Sequence, residues 1–514
     1  MVLILPDIQL QLLSLFMLAV AVTVIVKYIR LPYTIALVIT GLVVGSVGYF
    51  NIPLNKEIIL FLFLPPLLFE AAVHIDFKEM VDSVKPILVF SIPGIFAGVF
   101  LVSVIINFIT GIPLIYCLLF GAMVLPTDPV SVLALFKNMG VSKSLTHIIE
   151  GESLMNDGTA IVLFAIILDV IQNNHFSLAF SIFSFLKSYI GGILIGISIG
   201  YLTIRLLQKI LADDSVVVVL VTIIVAYLTF IICEDYFHVS GVIGVVAAGL
   251  FIGHKGTKYA MSSSSKIAIT SFWGIVAFIV NSLIFIMIGI KMPVKEIIGD
   301  WWLIFLAIVT VTFVRSIIIY LLSTLLNMTG EKIPAKWQHV INIGGIHGSI
   351  PIALLLGLHL TDYMKELSAM TYGVVLFSVV IQGSLIPPLL KKLNIASISK
   401  IEAEYETNLA KKLAIKNARK QLKKMYLTDQ ISEEIYRKLD KSYNQKFEEV
   451  TEKIRENLLY GDMIRTKQIK TAKRKAYLAE KVSIREAIKS GIISFDRGYT
   501  LLKQVDQKLD SIDQ

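Results

Sequence analysis

The sequence has few charged residues and very few cysteines. Only 17% of its 514 residues are Asp, Glu, Lys or Arg, whereas 56% are hydrophobic. In soluble domains about a quarter of the residues are charged, so this composition excludes an ordinary soluble fold. The two cysteines, Cys117 and Cys233, lie in separate apolar segments and offer no disulfide framework. We expect both to pack as small hydrophobic residues.

Long apolar runs fill residues 1–394, where short polar or glycine- and proline-bearing segments separate them. At the usual length of a membrane-spanning helix, about 20 residues, they predict an all-α polytopic membrane protein with about thirteen transmembrane helices. The first run lacks a preceding basic region, so we expect a retained helix and not a cleaved signal peptide. The predicted spans are 8–28, 33–50, 57–74, 86–109, 113–136, 146–170, 184–208, 215–234, 239–253, 267–290, 301–326, 337–358 and 368–391.

Lysine and arginine are distributed unevenly between alternate loops. Thirteen of them fall in one set of loops and five in the other. Positive residues are retained on the cytoplasmic side of a membrane protein. The sequence therefore predicts a multi-pass protein of the cell membrane with its N-terminus outside and its basic C-terminal tail in the cytoplasm.

Two predicted helices are interrupted. Pro126-Thr127-Asp128-Pro129 forms the first break, and the segment from Gly344 to Pro351 forms the second break. Proline removes a backbone donor and glycine loosens a helix. The breaks occupy the fifth helix of the first six and the fifth of the last six, a pattern typical of inverted-repeat transporters with a binding site at the membrane midplane. Two ordinary proline kinks in unrelated helices are the alternative.

Several polar side chains lie inside the predicted spans, where ionised groups are costly and indicate an ion site. Ser153, Asn156 and Asp157 share one helix face. Together with carbonyl groups freed at the first break, they can coordinate Na⁺ or K⁺. A buried carboxylic acid also takes up a proton readily, so Asp157 can hold either a cation or a proton. The whole candidate set is Glu70, Thr127, Asp128, Glu152, Ser153, Asn156, Asp157, Arg315 and His347.

The remaining charges have a different predicted role. An arginine at membrane depth needs a carboxylate, so we expect a structural ion pair between Arg315 and Glu152, with Asp128 as the rival partner. Asp128 can also compensate the dipoles of the half-helix ends. For His347 two interpretations stay open, a pH-sensitive group and a neutral hydrogen-bonded one.

These residues stand in motifs that resemble the monovalent cation:proton antiporter-1 family of sodium/proton exchangers. The resemblance covers roughly residues 10–390. It rests on Pro126-Thr127-Asp128-Pro129-Val130, Glu150 to Thr159, Leu64 to Glu70, Val239 to Val242, Asn281 to Leu283, and Arg315.

The resemblance implies a thirteen-helix fold with a dimerisation domain and a six-helix core, in which two broken helices cross. It also implies electroneutral exchange of one cation for one proton by an elevator-like movement in a homodimer. By the same resemblance, Asp157 is the shared carboxylate, while Ser153, Glu70 and the Thr127 carbonyl help to coordinate the ion. Asn156 is then the neutral neighbour, and Glu152 with Arg315 the stabilising pair.

The sequence departs from the resemblance at two positions. The family usually has arginine where His347 stands, and many members have an acid where Gly274 stands, so charge balance and ion selectivity are in question there. K⁺/H⁺ exchange and an ion channel remain alternatives to Na⁺/H⁺ exchange. An enzyme is disfavoured, because the only Gly-x-Ser-x-Gly match, Gly196 to Gly200, lies within a continuous apolar helix and not at a strand-to-helix turn. No cofactor is expected beyond the transported ion.

Residues 395–514 form a separate, charge-rich tail that holds 26 of the 47 basic residues and 18 of the 38 acidic ones. Its composition predicts helices, with interruptions near Thr428 and Gly491. The tail resembles the helical cytoplasmic extension of some bacterial members, and we expect a regulatory role with an unidentified ligand. Its basic clusters can contact anionic lipid or nucleic acid, but its mixed charge favours a solvated helical surface, and no nucleic-acid partner is expected. An amphipathic helix is indicated by Ile431, Ile435, Leu439 and Tyr443.

Overall fold

The structure is a computed structural model that divides into two compact units, residues 1–396 and 397–514. Each unit is described by itself. The described residues are 4–29, 33–46, 58–75, 77–128, 130–139, 141–173, 175–210, 214–256, 261, 263–292, 299–331, 333–358, 362–393, 395, 400–459, 462–490 and scattered residues between 492 and 508. Pro129 and Gly491, named in the predictions above, lie outside them.

All the regular structure in the described residues is helical. The first unit contains α1 (Ile4–Ile29), α2 (Tyr33–Gly45), α3 (Leu64–His74), α4 (Phe77–Asp82), α5 (Val84–Ser91), α6 (Pro93–Thr110), α7 (Leu114–Val124), α8 (Val130–Met139), α9 (Lys143–Asn173), α10 (Leu178–Ile210), α11 (Ser215–Ile231), α12 (Gly241–Phe251), α13 (Ser263–Lys291), α14 (Trp301–Met328), α15 (Ala335–Gly344), α16 (Ile350–Leu356), α17 (Met364–Phe377) and α18 (Gly383–Lys392). Short π-helical turns precede α3, follow α11 and α12, and join α17 to α18.

Each predicted span overlaps at least one of these helices. Seven helical segments in the described residues are long and apolar enough to cross a membrane, and further apolar helices are shorter. The all-helical membrane class is thus confirmed, while the full number of thirteen crossings and the orientation stay predictions. The seven segments are Val84–Thr110, Ser144–Asn173, Leu178–Gln208, Ser215–Tyr236, Ser264–Lys291, Trp301–Met328 and Met364–Lys392.

Local sequence signals set several helix ends. The Asp214 carboxylate accepts a hydrogen bond from the Val216 N–H at 2.9 Å and begins α11. Ser240 caps α12 in the same way through the N–H of Ile243. Such side chains satisfy donors that the first turn of a helix leaves free. At the other end of α6, Gly111 adopts a positive φ of 73°, which favours glycine.

The first unit contains two helix bundles, which meet where α9 of one packs against α10 of the other. We call them the scaffold bundle, in which α1, α2, α3, α10, α11, α12 and α13 pack together, and the crossing bundle, in which α5 to α9 and α14 to α18 pack together. Contacts of α9 with α3, α10 and α12 join the two bundles. The crossing bundle contains both breaks.

Glycines bring the helices of the scaffold bundle close together. A Cβ at Gly192 of α10 would lie 2.7 Å from the Ser240 carbonyl oxygen, and one at Gly196 would overlap the Gly244 carbonyl of α12. A Cβ at Gly45 of α2 would lie 2.8 Å from Cα of Ile290 in α13. Small residues allow membrane helices to approach at their backbones. The glycine-rich helices α2 and α12 therefore pack at close range against α13 and α10.

The second unit is helical as well, with α19 (Lys400–Leu427), α20 (Glu433–Leu459) and α21 (Asp462–Lys489). Helices α19 and α20 pack side by side, where Arg419 Nε lies 2.9 Å from Asp440 Oδ1. Tyr426 and Tyr436 stack at 4.8 Å beside the turn. The interruption predicted near Thr428 falls at this turn, in which Asp429 has a positive φ of 51°.

Replacement of Gly196 by valine should destabilise the scaffold bundle. The added side chain would overlap the α12 backbone, and overpacking of this kind costs about 1–3 kcal/mol. Gly274→Val is the matched control, because a Cβ at this helical glycine meets no atom within 4 Å. Thermal denaturation in detergent should show a lower Tm for Gly196→Val than for Gly274→Val. Equal Tm values would contradict the close packing of α10 on α12.

Candidate ion-binding site

The two breaks lie against each other at the centre of the crossing bundle. Helices α7 and α8 flank the first break, and α15 and α16 flank the second. The backbone N–H of Asp128 donates to the Ile346 carbonyl at 2.6 Å. His347 Nδ1 lies 3.2 Å from the Pro126 carbonyl oxygen. Each break therefore supplies hydrogen-bond partners for the other.

Two glycines of the second break leave room for charged side chains. A Cβ at Gly345 would overlap the Arg315 guanidinium, and a Cβ at Gly348 would overlap the Asp128 carboxylate. Glycine at both positions lets the backbone approach these groups directly. Asp128 lies just before the N-terminus of α8, the positive end of that helix dipole, and beside the second break.

Arg315 and Glu152 form a buried ion pair. Arg315 Nη2 lies 3.2 Å from Glu152 Oε1, and the two residues are 7% and 3% exposed. The same guanidinium donates to the carbonyl groups of Asn342 at 3.2 Å and Ile341 at 3.1 Å. These carbonyls end α15, where intrahelical donors are missing. Arg315 thus pairs with a carboxylate of α9 and donates hydrogen bonds to the free carbonyl groups at the end of α15.

Asn156 and Ser153 of α9 hold the first break at Thr127. Asn156 Oδ1 accepts from the Thr127 N–H at 3.4 Å, and Asn156 Nδ2 donates to Thr127 Oγ1 at 2.9 Å. The Ser153 hydroxyl donates to the Thr127 carbonyl. The structure therefore brings the predicted ligands Ser153 and Thr127 into direct contact. It uses the amide group of Asn156 to position the break.

A cavity of about 250 Å³ lies between the two bundles, on the side of Asp157 that faces α3. Its walls include five residues predicted as site residues, namely Glu70, Thr127, Asp128, Ser153 and Asp157. Glu152, Asn156, Arg315 and His347 are not among the lining residues. The candidate set thus divides into groups that face the cavity and groups that support the breaks behind it.

Sequence reasoning missed several lining residues, namely His74, Glu150, Asn281 and Ser349. Helix periodicity contained a signal for two of them. Glu150 precedes Ser153 and Asp157 on one face of α9, and His74 follows Glu70 by one turn on α3. His74 Nδ1 lies 3.3 Å from Glu70 Oε1, and His147 Nδ1 lies 3.5 Å from Glu150 Oε2.

The cavity has the charge of a cation site. Four carboxylates line it, contributed by Glu70, Asp128, Glu150 and Asp157. Neutral oxygens of Ser153 and Thr127 lie between them, as suits a hard monovalent cation. Among the described residues, no cluster of three or more His, Cys, Asp or Glu side chains could hold a metal ion in a fixed ligand cage.

An all-helical membrane protein whose interrupted helices touch beside a carboxylate-lined cavity has the architecture of an ion transporter. The family model described as sodium/hydrogen exchanger, transmembrane, matches residues 13–392. The chain belongs to this family. It is a transporter and not an enzyme.

Curated relatives and a solved structure agree with this assignment. The chain is 34% identical over 393 residues to the Na⁺/H⁺ antiporter ApNhaP of Aphanothece halophytica, which covers 75% of this chain and 74% of that protein. It is 31% identical over 509 residues to the Na⁺/H⁺ antiporter NhaS2 of Synechocystis, which covers 97% of this chain and 93% of the relative. The structure of the sodium proton antiporter MjNhaP1 from Methanocaldococcus jannaschii at pH 8 aligns with a TM-score of 0.64 at 17% identity, over 75% of this chain and 99% of that chain. This last likeness is one of fold.

Arg315→Ala should lower the yield of folded protein, because it leaves Glu152 buried without its partner and frees two carbonyl groups of α15. Removal of one member of a buried pair costs about 3–5 kcal/mol. The double variant Arg315→Met/Glu152→Gln should recover part of the loss, since no charge remains unpaired. Yield of monodisperse protein and Tm in detergent measure both effects. A single variant as stable as wild type would remove the structural role assigned to Arg315.

Proposed function

We propose that the protein exchanges a monovalent cation, with Na⁺ as the first choice, for H⁺ across the cell membrane, and that Asp157 carries both. The observation that supports this most directly is the position of Asp157 in the cavity. It lies on the same wall as the Ser153 hydroxyl and the Thr127 carbonyl, with Glu70 on the α3 side. Relatives over most of the chain are named Na⁺/H⁺ antiporters.

Exchange follows from competition for one carboxylate. A cation bound by Asp157, Ser153, Glu70 and the Thr127 carbonyl requires an ionised Asp157, whereas a proton neutralises it. Since both cannot be held together, loading of one releases the other. Asn156, the neighbour of Asp157, is an amide whose polar atoms contact Thr127. One titrating group at this pair supports a stoichiometry of one proton for one cation.

The location of the cavity supports alternating access. It separates α3 of the scaffold bundle from the first break, α9 and α16 of the crossing bundle. In the proposed elevator-like movement, the crossing bundle carries Asp157 past the scaffold bundle and exposes it to the other side of the membrane. The scaffold bundle then forms the homodimer interface. The tail is proposed to be cytoplasmic and regulatory.

The choice of cation rests on the relatives' names alone. The oxygen ligands suit Na⁺, Li⁺ and K⁺ alike, so K⁺/H⁺ exchange is the second candidate. An ion channel would instead pass current far above the turnover of an exchanger in a planar bilayer.

Asp157→Asn should abolish exchange and leave the fold intact, because an amide can neither balance a cation nor take up a proton at neutral pH. The assay is proton movement in vesicles that contain the full-length protein, on addition of Na⁺, Li⁺ or K⁺. Asp169→Asn is the matched control, since Asp169 is an exposed carboxylate of the same helix. Wild-type vesicles without a response to any of the three cations would refute the proposed function. Exchange by a folded Asp157→Asn variant would refute the role of Asp157.

Exchange of one cation for one proton moves no net charge. Its initial rate in vesicles should therefore be the same with and without an imposed K⁺/valinomycin diffusion potential, measured with Na⁺ as the driving ion. By contrast, each net charge moved would couple the exchange to about 2.3 kcal/mol per 100 mV. A rate that follows the imposed potential would rule out the 1:1 stoichiometry and leave antiport itself intact.

A further inference from the structure

His347 occupies a position at which three parts of the crossing bundle meet. Its imidazole Nδ1 lies 3.2 Å from the Pro126 carbonyl oxygen in the first break. Its backbone N–H donates to the Ser378 hydroxyl at 2.6 Å, where the π-helical turn after α17 begins. The residue itself belongs to the second break and is 2% exposed. It therefore links both breaks to α17.

The contact with Pro126 defines which ring nitrogen carries a hydrogen. A carbonyl oxygen has no proton to donate, so a hydrogen bond at this distance requires N–H at Nδ1. A neutral imidazole with its hydrogen on Nδ1 meets this requirement fully. Among the described residues, two charged side chains border the second break: Arg315 lies against Gly345, and Asp128 lies against Gly348. The imidazole is buried, so a positive charge on it would be costly, and Arg315 beside the same break would add repulsion.

The carbonyl that His347 holds adjoins the proposed cation site. Pro126 precedes Thr127, which lines the cavity and whose carbonyl accepts a hydrogen bond from the Ser153 hydroxyl. Proline has no N–H and cannot fix this segment through a backbone donor of its own. The segment is therefore positioned from three sides, by His347 at Pro126, by Asn156 at Thr127 and by the Ile346 carbonyl at Asp128.

We infer that His347 is a positioning residue that acts as a neutral hydrogen-bond donor: it holds the Pro126 carbonyl and thereby sets the orientation of the Thr127 carbonyl toward the transported cation. On this basis His347 determines cation affinity, and its protonation takes no part in the response to pH. The inference rests on the proposed cation site and goes beyond it. It chooses between the pH-sensitive and the neutral interpretation that the sequence left open.

Substitutions that mimic one ring nitrogen at a time separate the two interpretations. Asparagine places an amide N–H near the position of Nδ1, glutamine places one near Nε2, and leucine supplies neither. His347→Leu and His347→Gln should raise the KM for Na⁺ about tenfold, as expected when a buried acceptor loses a side-chain donor, with little change in the maximal rate. His347→Asn should stay within about twofold of wild type and keep the wild-type pH profile. The readout is Na⁺-driven proton movement by the full-length protein in vesicles across a range of pH.

A control variant, a binding measurement and a second test variant guard against misfolding and against failure of the transport assay. Ser323→Ala serves as the control, because Ser323 is a fully buried residue of α14 whose hydroxyl has no hydrogen-bond partner among the described residues. The rise of Tm with Na⁺ concentration in detergent reports cation binding without transport. If His347→Leu does not fold, Ser378→Ala removes the acceptor of the His347 N–H and should raise the KM in the same direction.

The outcomes are distinct. An impaired His347→Asn variant, or one with a shifted pH profile, would overturn the inference in favour of a charged histidine. A wild-type KM in His347→Leu would show that the bond positions nothing. Wild-type protein that shows Na⁺-dependent stabilisation without exchange would refute the proposed function, and the binding series would still test His347.

Discussion

An interrupted helix in a medium of low dielectric leaves backbone groups that must find partners, and the crossing bundle is built around this requirement. Each unsatisfied group in hydrocarbon costs several kcal/mol. The two breaks satisfy one another through the Asp128 N–H and the Ile346 carbonyl. Arg315 takes the carbonyls at the end of α15, and Asn156 takes the backbone and hydroxyl of Thr127. These contacts hold both breaks in place, and Thr127 and Asp128 of the first break line the cavity.

Helix α9 carries one carboxylate that is paired inside the protein and another that faces the cavity. Glu152 points to Arg315 and is fully committed to a buried pair, whereas Asp157 faces the cavity between the bundles. A carboxylate held by a guanidinium cannot release that partner without leaving it unpaired. A carboxylate that faces a cavity can exchange its partner for another. Both kinds of carboxylate occur on one helix, because successive side chains point to different sides of it.

Much of the fold and of the candidate site could be predicted from sequence. Membrane helices are recognisable by their length and hydropathy, and charged residues within them are rare. The two breaks were visible as proline and glycine clusters, and the need of Arg315 for a carboxylate indicated Glu152. The wall formed by His74, Glu150 and Asn281 was missed, because it depends on which face of α3, α9 and α13 the neighbouring bundle leaves open. Helix periodicity places Glu150 on the face of Asp157 and His74 on the face of Glu70, but the packing of the two bundles decides which helix faces meet at the cavity.

By itself, the sequence determined the membrane class, the places where helices are interrupted and a set of candidate ion-binding residues, because hydrophobic length, proline and buried charge act locally. Only the tertiary structure decided how those residues are divided. It assigned Arg315 to Glu152 and to α15, turned Asn156 toward Thr127, and joined His347 to Pro126 across the two breaks. These pairings link residues far apart in the chain, and their distances are fixed by the packing of whole helices.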